Sequence, residues 1–285
     1  MLEPTVSPRP SVVALAASIV SLSLVLGGCR GDPAEPPGRA PTTAPAPPVA
    51  APAAPAPVAA LDRAGLLAAI DVAASAYASG VAPEGASLSG RRFVVRQAFG
   101  CIAQPATALE AIAEDGVATW SRSADGKNLK VALTPSDWIA SPLITDGDEP
   151  GWEAVEGVWL TRPWLKAGGC PRVPTSDRPG GPAAQAPQTA GLASVFEADG
   201  SRLGRRNGRA YEHTVRGDGD QPAVAPAQGY RLVLEGRMAA FPEGRSIRCR
   251  ASGPDQRPVC IAAVQIDRVA FEDAGGSLLS EWRDG

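Results

Sequence analysis

The chain offers a single imidazole. His213, in Tyr211-Glu212-His213-Thr214-Val215, is the only histidine among 285 residues, which excludes multi-histidine metal sites. A hydrolase would need it beside an activated serine, yet no G-x-S-x-G elbow occurs. Ser87, Ser89, Ser201 and Ser252 stand in turn-like contexts, where serine is ordinary. A lone histidine on a strand therefore reads as a surface side chain. Among the acidic residues, Asp146, Asp148 and Glu149, and separately Asp218 with Asp220, carry oxygens suited to Ca²⁺. Neither run fits a twelve-residue loop closed by glutamate, and Asp-Gly is common turn chemistry, so turns are expected. A carboxylate pair for glycoside hydrolysis is defined by distance in space, and no pair stands out. With no GxxxxGK[ST] loop and no GxGxxG opening a helix, no catalytic residue, metal or cofactor is assigned.

Two clusters suit binding better than catalysis. Arg202, Arg205, Arg206 and Arg209 crowd into eight residues, and guanidinium forks grip phosphate or carboxylate bidentately. A solvated loop is the simpler expectation. Trp152, Trp159 and Trp164 lie close together, with Trp138 nearby. Exposed, they would stack on sugar rings or anchor a partner; buried, they would fill a core in which Phe, Trp and Tyr total only 5% of the chain. Burial is the expectation. The charge balance of 27 Lys+Arg against 30 Asp+Glu excludes a broadly basic nucleic-acid surface.

The N-terminus carries an address. Ser11–Leu26 is an uncharged, mostly apolar run of 16 residues, short of the roughly 20 that cross a bilayer as a helix, with Arg9 before it and small residues after it. This is the pattern of a secretory signal. Leu26-Gly27-Gly28-Cys29 resembles the lipobox of bacterial lipoproteins. The resemblance implies a diacylglyceryl group on the Cys29 thiol, cleavage before Cys29, and acylation of the new amine, with palmitate among the chains. Several acyl chains make a stable anchor where one is marginal. In such lipoproteins an Asp after the Cys retains the protein in the inner membrane, so Arg30 implies the outer membrane, facing the periplasm. The remainder resembles, in general character only, Gram-negative lipoproteins without assigned function.

Residues 1–28 are thus expected to be the lipoprotein signal peptide, 29–59 the lipidated Cys and its tether, and 60–285 a globular β-rich domain. Positions 30–59 hold 10 Pro and 10 Ala, an extended spacer at ~3.1 Å per residue that reaches up to roughly 90 Å. Leu66, Leu67, Ile70, Ala74 and Tyr77 predict a helix over 61–79, with Gly80 at its C-terminal end. Beyond it the period becomes two. Apolar residues alternate with polar ones in 91–99, 128–133, 230–238 and 246–250, predicting half-buried strands. In 259–272, Cys260, Val264 and Ile266 share one parity and Val269 and Phe271 the other, predicting a bulge near Asp267-Arg268. The fold class expected is mainly β, an antiparallel sandwich or barrel-like arrangement with one N-terminal α-helix, α+β being the variant. Pro171–Ala190 reads as a flexible loop within one unit, a boundary between two lobes being the alternative.

With Cys29 lipidated, Cys101, Cys170, Cys249 and Cys260 form an even set for an oxidising compartment. Cys249 and Cys260 fall on adjacent strands joined by the Ser252–Asp255 turn, so they are expected to pair, leaving Cys101 with Cys170. No close CxxC pair supports a zinc site. The function expected is that of a membrane-anchored periplasmic lipoprotein, a non-enzymatic binding or structural module with envelope proteins or polysaccharide as candidate partners. The alternative is a tethered hydrolase using carboxylates or an unrecognised serine.

Overall fold

Fourteen residues, Val259–Glu272, form the longest strand, and most of the sheet is arranged around it. In this computed structural model residues 58–81, 88–101, 115–145, 151–172 and 188–283 are described. The elements are β1 (Leu61–Asp62), α1 (Arg63–Ala78), β2 (Arg92–Phe99), β3 (Thr119–Arg122), β4 (Leu129–Leu133), β5 (Ser136–Asp137), α2 (Pro142–Thr145), β6 (Ala154–Trp159), β7 (Ala190–Phe196), β8 (Tyr211–Val215), β9 (Tyr230–Met238), β10 (Ile247–Arg250), β11 (Val259–Glu272) and β12 (Leu278–Arg283). Nine strands make one sheet in the order β1-β2-β9-β11-β7-β6-β5, with β10 and β12 also on β11. A second sheet has the order β3-β4-β8. The mainly β architecture with an N-terminal helix matches the sequence reading. Antiparallel pairing predominates, with parallel pairs at β1–β2 and β7–β11, and the described strands do not close into a barrel.

The burial pattern explains which strands show a period in the sequence. Along β11, Cys260, Ala262 and Val264 face the larger core, shared with α1, β2, β4 and β9. Ile261 and Ala263 face a second core with Trp138, Val155, Val195 and Phe241. The register with β9 slips between Ile266 and Arg268, which is the expected bulge. One extra residue reverses the parity, so Val269 and Phe271 return to the larger core. All seven residues of β7 are buried, and Ser194 is its one polar side chain, so it shows no alternation.

The helix begins two residues later than expected. Leu61 and Asp62 pair with Phe93 and Val94, and the Asp62 carboxylate caps the helix by accepting from the Gly65 N–H at 2.8 Å. Gly80 follows with φ +65°, the left-handed conformation that glycine adopts without strain. Arg63, at the first turn, is buried and has neutral partners. Its guanidinium donates to Gln97 Oε1 (3.1 Å) and to the carbonyls of Thr161 (2.6 Å), Arg162 (3.1 Å) and Leu165 (3.2 Å). Burial, then the nearby Arg162, pull its pKa down from the ordinary arginine range to about 10, so it stays charged at neutral pH. It thereby ties the helix and β2 to the turn after β6.

Both disulfides join the expected cysteines, Cys101 to Cys170 and Cys249 to Cys260. Cys249 and Cys260 are direct cross-strand partners on β10 and β11. The Pro171–Ala190 stretch is shorter as a loop than expected, because Ala190 already pairs with Cys260 as the first residue of β7; residues 173–187 lie outside those described.

A tryptophan slot locks β6 to β7. The Trp138 indole lies over Gly157 and Gly191, where an added Cβ would meet it at 2.0 and 2.7 Å. Gly157→Ala should therefore destabilise the protein by about 1–3 kcal/mol through overpacking, read as a lowered urea midpoint. Gly253→Ala, with nothing within 4 Å of the new Cβ, should leave that midpoint nearly unchanged.

Candidate functional site

The basic run is a largely exposed loop, as expected, and it is pinned at several points. Glu153, next to the start of β6, holds two of its arginines: Oε2 accepts from Arg202 Nη2 at 2.8 Å and Oε1 from Arg205 Nη1 at 2.8 Å. Glu156, buried inside β6, accepts the backbone N–H groups of Arg206 and Asn207 on one oxygen, at 2.8 and 2.7 Å. Asn207 has φ 52°, a left-handed conformation that asparagine tolerates better than most residues. The Arg206 guanidinium lies 4.5 Å over the Tyr211 ring and donates to the carbonyls of Arg209 and Ala210.

This loop forms one wall of a cleft of about 270 Å³. The opposite wall is the C-terminal half of β11 with β12. Six arginines line it: Arg202, Arg205, Arg206 and Arg209 from the loop, Arg268 from β11 and Arg283 from β12. Tyr211 and Trp282 supply aromatic surface. Their rings meet edge-on at 5.2 Å, and Trp282 also meets Phe271 at 84° and 5.6 Å. The indole is therefore held in orientation by two neighbours while part of it faces the cleft. The Arg205 and Arg268 side chains are only 23% and 12% exposed and belong to the wall, whereas Arg202 and Arg283, at 66% and 62%, form the rim.

Cations outnumber their partners here. Glu153 is shared by Arg202 and Arg205; Glu281 is shared by Arg268 (2.8 Å) and Arg283 (3.2 Å); Glu235 holds Arg268 at 2.6 Å. Even counting Glu156, six guanidinium groups meet four carboxylates among the described residues. The bonds from Arg268 and then Arg283 hold the Glu281 carboxyl below its ordinary range. The other displaced carboxyls move the same way. The Ser123 hydroxyl lowers Asp125 and the Ser277 N–H lowers Asp273. At Glu243 burial pushes upward, but Arg248 outweighs it. These are the shifts of ion pairing and capping, opposite to the rise that suits a general acid. The arrangement can bind an anion.

The structure disperses the other candidates. Trp152 packs on Phe241 at 5.3 Å and Trp159 on Trp138 at 4.6 Å, both against the second core, as expected for most of the cluster. Trp164 differs: it is 58% exposed and stands apart from those pairs. His213 is half-buried on β8 opposite Val131. Asp218 and Asp220 are exposed turn residues, and Asp218 forms an isolated bridge to Gln221. Cys29 and the Asp146–Glu149 run lie outside the described residues. Among the described residues no three His, Cys, Asp or Glu side chains gather as a metal site.

Sequence reasoning located the four loop arginines but missed Arg268, Arg283, Trp282 and the glutamates that hold them. One signal was available: Ser280-Glu281-Trp282-Arg283 alternates with period two, with Trp on one parity and charges on the other. Searches against family models, curated proteins and solved structures give no match for this chain.

Glu156→Ala removes the acceptor for two loop N–H groups, and should sharply accelerate tryptic cleavage within 202–209 in the otherwise folded protein, read by mass spectrometry of the first fragments. The pH dependence follows from Glu281. A carboxylate held low in the folded state adds stability that is present above its unfolded pKa and is lost as pH falls through the lower folded value. Acidification below 4.5, the ordinary glutamate value, should therefore lower the Tm of the wild type more than that of Glu281→Gln.

Proposed function

We propose that the mature protein is a lipid-anchored lipoprotein on the periplasmic face of the outer membrane, acting as a non-enzymatic module that binds an anionic envelope component. One observation carries the binding half of this reading: six arginines from three separate parts of the chain converge on one cleft with too few carboxylates to neutralise them. The Leu26-Gly27-Gly28-Cys29 motif and the Pro/Ala tether support the anchor, and two disulfides suit an oxidising compartment. A tether of this length lets the domain work well away from the bilayer.

The two halves are tested separately. Cys29→Ala should abolish acylation and leave unprocessed precursor, seen as loss of labelled palmitate and a heavier band; normal lipidation of that variant would overturn the anchor. Delipidated, protein-free envelope polymers should retain the mature protein at low salt and release it as screening rises. The double variant Arg209→Gln/Arg283→Gln should be retained much less. Retention insensitive both to salt and to that variant would overturn the anion cleft.

A further inference from the structure

Resting on that reading, we infer that the ligand is an acidic saccharide, with one sugar ring on the Trp282 indole and its carboxylate in the arginine rim. Three features point to a sugar rather than a bare oxyanion. First, a free phosphate or sulfate needs only donors, yet this cleft sets an indole among them. That indole is held by Tyr211 and Phe271, at 5.2 and 5.6 Å, so its part facing the cleft is a preset apolar surface. Second, the cleft, about 270 Å³, lies just under the roughly 300–1,000 Å³ of sites for drug-sized ligands. That suits one ring of a polymer with the neighbouring units outside. Third, the arginines are graded. Arg205 and Arg268 are engaged by glutamates in the wall, while among the described residues the Arg209 side chain donates to the Arg206 carbonyl alone and Arg283 shares Glu281 with Arg268.

Arg283 spends its Nε and Nη2 on Glu281, which leaves Nη1, while Arg209 keeps the fork of its two Nη groups for a planar carboxylate. A ring presents its C–H face to the indole while its carboxylate lies in the ring's outer edge, where Arg209 and Arg283 stand. No covalent step is involved. Recognition is stacking plus charge-assisted hydrogen bonding, so affinity should fall with salt but not vanish.

The test uses mature, lipidated protein in detergent micelles, titrated calorimetrically with a galacturonate oligosaccharide, the matching neutral galactose oligosaccharide, and inorganic phosphate. The acidic oligosaccharide should bind at least tenfold more tightly than either of the others, the scale of one hydrogen bond to a charged group. Arg209→Gln/Arg283→Gln should lose at least that factor, and Trp282→Leu should weaken the acidic sugar while leaving phosphate binding unchanged. Because Trp282 also packs on Phe271, its indole N–H resonance is followed in the wild type as well. It should shift with the uronate and stay in place with phosphate. If phosphate binds as tightly as the uronate and that resonance does not move, the saccharide inference is overturned and the anion cleft stands. Equal binding of the neutral sugar would overturn the role of the arginines. Should none of the three bind, both the inference and the reading beneath it fail.

Discussion

A single strand with four neighbours governs this protein. β11 is flanked by β10 and β7 along its first half and by β9 and β12 along its second, and its first half packs into both cores. Such a strand cannot shift without breaking two ladders and two packing surfaces at once. The bulge at Asp267 is what makes the arrangement possible. It reverses the parity, so that Phe271 continues the core begun by Cys260 while the strand exchanges one pair of neighbours for another. The Cys249–Cys260 bridge then ties the first half covalently to β10. The cleft is built on the second half, through Arg268 and its neighbour β12.

Two arginines show how differently this fold treats a buried charge. Arg63 is surrounded by neutral oxygens, and its burden is desolvation, which draws its pKa down. It survives there because four acceptors share the cation, which suits a planar fork far better than an ammonium. At Arg268 burial also opposes the charge, but the bonds it donates to Glu281 and Glu235 outweigh it and raise the pKa. One serves as a joint between helix, strand and turn, the other as a charged wall. Loss of both glutamates at Arg268 would leave an uncompensated cation, which is costly where it is poorly solvated.

Legibility in the sequence followed exposure. Wherever an element had one wet face, the pattern told its type and often its ends: α1, β2, β4, β9, and even the bulge in β11, from the change of parity between Ile266 and Val269. β7 hid because both its faces are dry, so Ala190–Phe196 shows no alternation to read. β1 hid because two residues carry no period, and Asp62 serves at once as strand residue and helix cap. The site was half legible for a related reason. Four arginines in eight residues announce themselves, whereas Arg268 and Trp282 come to them only through the β11–β12 pairing. Glu153 and Glu156 showed nothing, since their role is to accept bonds from a loop some fifty positions away in the chain.

Glu156 also bears on how β6 finds its place. Its neighbours Val155 and Gly157 face the second core, so moving the strand by one residue would point the carboxylate into the apolar packing around Trp138 and carry Gly157 out from under the indole. The misaligned sheet would bury an unanswered charge and a steric collision together, while the loop lost both of its anchoring acceptor bonds. The glutamate that shapes the arginine loop is in this sense a proofreading element for sheet assembly. A chain that pairs its strands incorrectly is denied the cleft.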